Sequence, residues 1–161
     1  MTSINTLLYV FMREKCKMKG IFRPKNPSKY KGDPTNIVYR SSYELKLFRF
    51  LDEHQDVEWW QSEEVWIPYR SPLDNRIHRY FPDVVVKTPN GTTMIEVKPA
   101  KQTVPPKKQT TKRGQPSKQY IREVMEWGKN DAKWKAARDY CEDRGWTFAI
   151  YTEKELGLPY K

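Results

Sequence analysis

Two short stretches of this 161-residue chain hold side chains able to do chemistry together. Phe81-Pro82-Asp83 is followed, thirteen residues beyond Asp83, by Glu96-Val97-Lys98. Side chains alternate along a strand, so Glu96 and Lys98 point one way while Ile95 and Val97 point the other. An acid and a base on one face of an otherwise apolar strand are costly unless they pair or are used. A hairpin that brings Asp83 beside Glu96 sets two carboxylates together. They repel each other and attract a hard divalent cation such as Mg2+. Such a cation binds a phosphate oxygen and activates a water, while the Lys98 ammonium orients that water or steadies the developing charge. The plainer alternative is a salt bridge between Asp83 and Lys98 across the hairpin, since P-D followed by E-x-K is short enough to arise by chance. Context favours the chemistry: the two pieces fall on adjacent predicted strands, after an acid-bearing helix, in a basic chain.

Those side chains need strands and a helix to hold them. Ile77–Lys87 and Thr92–Lys98 read as a β-hairpin around Pro89-Asn90-Gly91. Val57–Trp60 and Val65–Tyr69 read as earlier strands, with a turn at Pro72–Asn75. A helix begins at Ser41, where Ser41 and Glu44 fit the S-x-x-E capping box and Leu47, Phe48 and Leu51 follow at core spacing. Glu44, Phe48 and Leu51 share a face of it, so Glu44 is a candidate third metal-binding carboxylate. It is equally the N3 residue of an ordinary cap. Ser117 caps a later helix whose buried face is expected to carry Ile121, Val124, Met125, Trp134, Ala137 and Cys141, with a break at Asn130-Asp131. Gly145 ends it, Trp146–Tyr151 is a last strand, and Thr152 with Glu155 caps a short final helix. The class is α/β with a mixed sheet. The division expected is residues 1–40 as an N-terminal helix (Ser3–Lys17) and an extended basic arm (Lys19–Thr35), and 41–161 as the main domain, with 98–117 a mobile basic loop.

Composition points to the partner. The net charge is +10, and its placement says more than its size. Arg13 to Arg40 holds nine basic and two acidic residues, and Lys98 to Arg122 holds eight basic residues and no acid. Two basic blocks flanking a mildly acidic body attract a polyanion, nucleic acid above all; the bland alternative is two solvated segments that bind nothing. The DNA-contacting candidates are Arg23, Lys25, Lys29 and Lys31 in the arm, and Lys101, Gln102, Lys107, Lys108, Lys112 and Arg113 in the loop. For Gln102, loop filler is an equal reading. Arm and loop are expected to order only on binding, since neither carries much apolar surface. His78, an odd number of positions from Asp83 on one predicted strand, should face away from it and be a structural or surface histidine. His54, at a helix end, is unremarkable. Trp59-Trp60 fits core and surface packing better than base stacking. Cys16 and Cys141 give neither a disulfide framework nor zinc spacing, which suits a reducing cytoplasm. Leu7–Met12 is too short an apolar run for a membrane span and lacks a signal-peptide cleavage site.

Arg40-Ser41-Ser42-Tyr43-Glu44-Leu45, His78-Arg79-Tyr80-Phe81-Pro82-Asp83 and Ile95-Glu96-Val97-Lys98-Pro99 together resemble the head-completion nucleases of T-even-like tailed bacteriophages. So do Arg23-Pro24-Lys25-Asn26-Pro27, Gly145-Trp146 and Thr152-Glu153-Lys154-Glu155-Leu156. The core is similar to that of TnsA-type transposon endonucleases, within the PD-(D/E)XK superfamily. The resemblance runs from about Lys19 to the end; Met1–Met18 lies outside it, and Met18 offers an alternative start. It implies a restriction-endonuclease-like core with a mixed β-sheet flanked by helices. It implies Mg2+-dependent DNA cleavage (Mn2+ can substitute) with no nucleotide cofactor and no membrane. Glu44, Asp83 and Glu96, with Val97 among the metal-binding positions, would hold the ion, and Lys98 would assist the attacking water. The implied setting is the infected host cytoplasm and the head portal, with portal or head-neck proteins as partners. A non-catalytic DNA-binding head-closure protein on the same fold is the rival reading.

Overall fold

The computed structural model describes residues 19–157. The helix expected over Ser3–Lys17 lies outside them. In chain order the elements are β1 (Gly20–Phe22), β2 (Ile37–Tyr39), α1 (Ser42–Glu53), β3 (Trp59–Gln61), β4 (Ile67–Arg70), β5 (Ile77–Tyr80), β6 (Val84–Thr88), β7 (Gly91–Val97), α2 (Lys118–Glu142) and β8 (Thr147–Tyr151). Short 3-10 turns occupy Pro27–Lys29 and Ala100–Gln102.

The central sheet has the order β3-β6-β7-β8. β3 pairs with β6 and β6 with β7 antiparallel, whereas β8 lies parallel to β7, so the sheet is mixed. Alternation along the strands decides which helix covers which face. Val84, Val86, Ile95 and Val97 join Leu45, Leu47, Phe48 and Leu51 of α1 in one core cluster. Val85 and Met94 join Ala137 and Cys141 of α2 in the other. Burying a face against each helix is what a two-sided apolar sheet requires. The β6–β7 turn falls at Pro89-Asn90, between the Thr88–Gly91 pair, and Gly91 supplies a φ of 130° there.

Five expectations need correction. Residues 77–87 are not one strand: β5 pairs with β4 in a separate two-stranded ribbon, and the chain re-enters the main sheet only at Val84. Pro82 has no N–H to give to a ladder, so the strand breaks around it. Helix α2 is continuous through Asn130, which is buried rather than a breaker. Its covered stripe runs through Asn130, Trp134, Ala137 and Cys141, whereas Ile121, Val124 and Met125 are exposed. The Thr152–Glu155 cap forms, with Thr152 N–H donating to Glu155 at 2.8 Å, but Glu153–Gly157 are turns rather than a helix.

The fifth correction is the arm. Residues 20–39 are folded, with β1 and β2 paired and Phe22, Tyr30, Ile37 and Tyr39 inside the α1 cluster. Phe22 and Tyr30 both meet Trp60 edge-on, at 5.9 and 4.8 Å between ring centroids. Their large rings supply the buried area that the Lys- and Pro-rich spelling hid. The C-terminus of α2 follows the expected pattern. Gly145 has φ 64°, its N–H donates to Glu142 O, and Trp146 N–H donates to Cys141 O. Together they close the helix in a Schellman cap.

Candidate active site

The site sits where β6 and β7 begin and end beside each other. The ladder pairs Val84 with Ile95, so one step further Asp83 stands opposite Glu96. Glu96 lies on the α2 side, because its neighbours Ile95 and Val97 belong to the α1 side. Asp83 Oδ2 accepts the Val97 N–H at 2.7 Å, which fixes its carboxylate at the strand end. Glu96 is only 4% exposed. Its Oε2 accepts the Tyr80 hydroxyl at 2.6 Å, and its Oε1 lies 3.3 Å from Lys98 Nζ. The expected pairing of Glu96 with Lys98 on one face is therefore present, and the alternative Asp83–Lys98 salt bridge is absent among the described residues.

The electrostatics follow. The Asp83 carboxyl is pushed well above its usual range, first by burial, then by the charge of Glu96, and further by Glu44. The Val97 N–H bond and Lys98 pull the other way without prevailing. Burial and the adjacent Glu96 likewise raise the Tyr80 hydroxyl, so it stays a proton donor to Glu96. The two carboxylates thus meet in a place that disfavours their joint charge, which is the condition that draws a divalent cation.

Glu44 is arranged differently. It is on α1, across the sheet from the Glu96 face, and both of its oxygens are engaged. Oε1 accepts the Ser41 hydroxyl at 2.9 Å and Oε2 the Arg40 N–H at 2.9 Å, while Glu44 N–H donates to Ser41 Oγ at 3.1 Å. Ser41 therefore caps the helix, and the Glu44 carboxylate folds back on the Ser41 hydroxyl and the Arg40 N–H rather than on the Ser41 N–H of a standard capping box. The shared face with Phe48 does not carry Glu44 into the core; it is partly exposed and acts on Asp83 through its charge. Among the described residues no group of three or more His, Cys, Asp or Glu is arranged to hold a metal. Asp83 and Glu96 nevertheless fit Mg2+, which keeps several waters and needs only one or two protein carboxylates plus phosphate oxygens.

Three groups at this site escaped the reading of the sequence. Tyr80 anchors Glu96. Arg40 pairs with Glu63 and feels the charges of Glu44 and Asp83, which help to raise its pKa. Lys133 on α2 lies over the rings of Tyr69 and Tyr80, at 5.7 and 5.6 Å. Burial lowers its pKa, as do Lys129 and Lys98, while Glu96 opposes them. A lysine one position before Trp134 and four before Ala137, within a buried stripe, is the signal that could have found it.

His78 is exposed and bonded to Asp74 at 2.8 Å, as its surface reading required, though not for the parity reason, since the strand is broken before Asp83. Trp60 is buried, and Trp59 is half-buried under Lys31, at 4.4 Å. Both therefore pack. Each of the four DNA-contact candidates in the arm has an intramolecular contact: Arg23 with Thr35 O at 2.8 Å, Lys25 with Glu53 at 2.7 Å, Lys29 with His54 O at 2.8 Å, and Lys31 with the Trp59 ring. Lys101, Gln102, Lys107, Lys108, Lys112 and Arg113 are exposed, and among the described residues none of these cations has a carboxylate within 4.0 Å. The loop they occupy is not featureless, because Thr110 bridges to Pro116 and Ser117 N–H donates to Gln109 O at 2.9 Å.

Comparison with known proteins identifies the family. Residues 54–153 match a family model described as TnsA-like endonuclease N terminal, a span that takes in Asp83, Glu96 and Lys98 but not Glu44. The chain is also similar to the head completion nuclease of Enterobacteria phage T4, with 41% identity over 138 residues, covering 85% of this chain and 92% of that protein. No described helix is long and apolar enough to cross a membrane.

Proposed function

This chain belongs to the TnsA-like endonuclease family, and from that premise we propose that it is a Mg2+-dependent endodeoxyribonuclease of phage head completion, cutting packaged DNA at the head portal. The observation that carries the reading is the opposition of Asp83 and buried Glu96 at one strand end, with Lys98 3.3 Å from Glu96. A plain structural salt bridge would need one acid and one base; here two acids share one lysine.

Asp83 and Glu96 would hold the ion, with Val97 at the same strand end and Glu44 adding charge from the edge. For Glu44 to become a ligand it must release the Ser41 hydroxyl and the Arg40 N–H. Bound Mg2+ (or Mn2+) supplies Lewis-acid polarisation of the scissile phosphate and an activated water. Lys98, held beside Glu96, orients that water and offsets the charge that develops on phosphate oxygens. Tyr80 keeps Glu96 in place by its hydroxyl, and Lys133, carried on the adjoining helix without a carboxylate within 4.0 Å among the described residues, faces the same charges as a phosphate contact. The exposed loop cations bring the DNA backbone to the site. The relative's name supports the setting in head completion, hence the infected host cell; the portal or head-neck proteins are the partners proposed with it.

The test is nicking of supercoiled plasmid with and without Mg2+ by wild type, Asp83→Ala and Glu96→Ala. Both variants should lose more than about a hundredfold in rate, the scale of losing one preorganised charge-stabilising group, while thermal melting shows them folded. Wild-type rates in either folded variant would reject the assignment. An inert wild type that still binds DNA would instead favour the non-catalytic head-closure protein.

A further inference from the structure

The β4–β5 ribbon has an outer face that the site does not use. Its register sets Pro68 against Arg79 and Arg70 against Ile77, and all four are exposed. The inner side, with Ile67, Tyr69 and Tyr80, packs against α2. One residue beyond the last pair on each strand stand Trp66 and Phe81, 48% and 43% exposed. The Arg79 guanidinium lies 4.9 Å from the centroid of the Trp66 ring, which puts the two on the same side. Large rings left in water on a ribbon only a few residues long are a surface kept for a partner.

The composition of the face says which partner. Its charges are both positive, and among the described residues neither Arg70 nor Arg79 has a carboxylate within 4.0 Å; Arg70 keeps only the Asn75 carbonyl, at 2.8 Å. Flat aromatic faces interleaved with guanidinium groups are the chemistry that stacks bases and holds the phosphates between them. An intact duplex hides its base faces, so the occupant has unpaired nucleotides. The face also leads into the site, since Phe81 is two residues from Asp83, a span of at most about 7 Å. That is about two steps at the 3.4 Å rise of one DNA strand.

We propose that the outer face of the β4–β5 ribbon stacks unpaired bases, so that the preferred substrate is DNA with single-stranded nucleotides beside the scissile phosphate. This rests on the nuclease reading above. A strand stacked on Trp66 and Phe81 is delivered to Asp83 and Glu96 with its backbone held by Arg79 and Arg70.

The experiment measures binding of the full chain, in Ca2+ to suppress cleavage, to a fixed duplex that is blunt or carries a short oligo-dT overhang. Wild type should bind the overhang duplex about fivefold or more tighter than the blunt one, the gain from at least one stacked base. Trp66→Ala with Phe81→Ala should erase that gain and leave blunt binding unchanged. Trp66→Phe, which keeps a ring, should restore it, whereas Trp66→Leu, which keeps only apolar area, should not. Because these side chains are exposed, melting temperatures should match wild type. Equal binding of blunt and overhang DNA by wild type, or full binding by Trp66→Leu, overturns the proposal and leaves the face as an apolar protein contact. Plasmid nicking in Mg2+, run in parallel, separates the two readings. Cleavage without overhang preference rejects the stacking face alone. Ring-dependent overhang binding without cleavage rejects the nuclease and retains the stacking face.

Discussion

The arm and the catalytic end handle charge in opposite ways. In the arm Lys25 meets the Glu53 carboxylate, Arg23 and Lys29 meet backbone carbonyls, Lys31 lies over the Trp59 ring, and buried Asp52 receives two backbone N–H groups. At the catalytic end the charges are left over. Asp83 faces Glu96, and the loop cations are exposed with no carboxylate within 4.0 Å among the described residues. Matched charge holds a fold together; unmatched charge is stability given up for a ligand. The difference teaches that a basic segment is not by itself a DNA contact. Two stretches equally rich in Lys and Arg divide into a structural one and a free one.

The largest effect that could break this contrast lies at Asp83. Asp83→Asn should abolish nicking and yet stabilise the metal-free protein. The folded state holds the Asp83 proton more tightly than the unfolded chain, so metal-free stability falls as pH rises from the ordinary carboxylate range through the raised Asp83 value. Asn cannot ionise, and that slope should disappear. Saturating Mg2+ should restore stability to wild type only, by about 2.7 kcal/mol at a hundred times its Kd. Urea unfolding between about pH 5 and pH 8, with and without Mg2+, reads all three. A destabilised Asp83→Asn with an unchanged slope would mean that Asp83 is a structural acid, like Asp52.

Next in size is the loop. Changing Lys107, Lys108, Lys112 and Arg113 together to Ala should weaken duplex binding tenfold or more. If all four contact phosphate, the log–log salt slope should flatten by about 3.6, at about 0.9 per contact. Cleavage at saturating DNA should hold, since none of the four touches Asp83 or Glu96. The matched change of Arg23, Lys25, Lys29 and Lys31 should move the slope far less and instead cost stability. Equal slope changes in the two variants would return the arm to the DNA clamp that its sequence suggested.

The site was legible because its signals are local. Strand alternation and a two-residue turn suffice to bring Asp83, Glu96 and Lys98 together, and Ser41 with Glu44 announces its own cap. The rest depends on partners distant in sequence. Nothing near Phe22 says that it will meet Trp60, and nothing near Lys133 says that it will rest on Tyr80. The apolar stripe of α2 was visible, but which half is covered depends on how far the sheet and ribbon extend beneath it, so Ile121 and Val124 were misread as core. The ribbon face was missed for a related reason. Trp66 and Phe81 are the flanking neighbours of buried Ile67 and Tyr80, so which side they face follows only from the register of a ribbon separate from the main sheet.

The smallest effect on DNA binding and cleavage, and the cleanest control, is at Asp52. Its Oδ2 accepts the Lys25 N–H at 2.7 Å and its Oδ1 the Asn26 N–H at 3.1 Å, while its backbone carbonyl accepts Asn26 Nδ2 at 3.0 Å. A buried carboxylate in the last turn of α1 sits at the wrong end of the helix dipole, so those two N–H groups are what make the position tolerable. Asp52→Asn keeps the shape and one acceptor oxygen, but turns an amide NH2 toward an arm N–H. One charge-assisted bond is lost and one donor is left facing a donor, a cost of about 1.5–3 kcal/mol. The arm should loosen from α1, and urea unfolding should report that loss. Since Asp52 lies with the matched charges, the salt dependence of DNA binding should stay as in wild type, and so should cleavage of plasmid by the folded fraction. If the slope instead steepens, freed arm cations have found phosphate. The intramolecular contacts of Lys25 and Lys29 would then be a resting state that competes with DNA, not a fixed part of the fold.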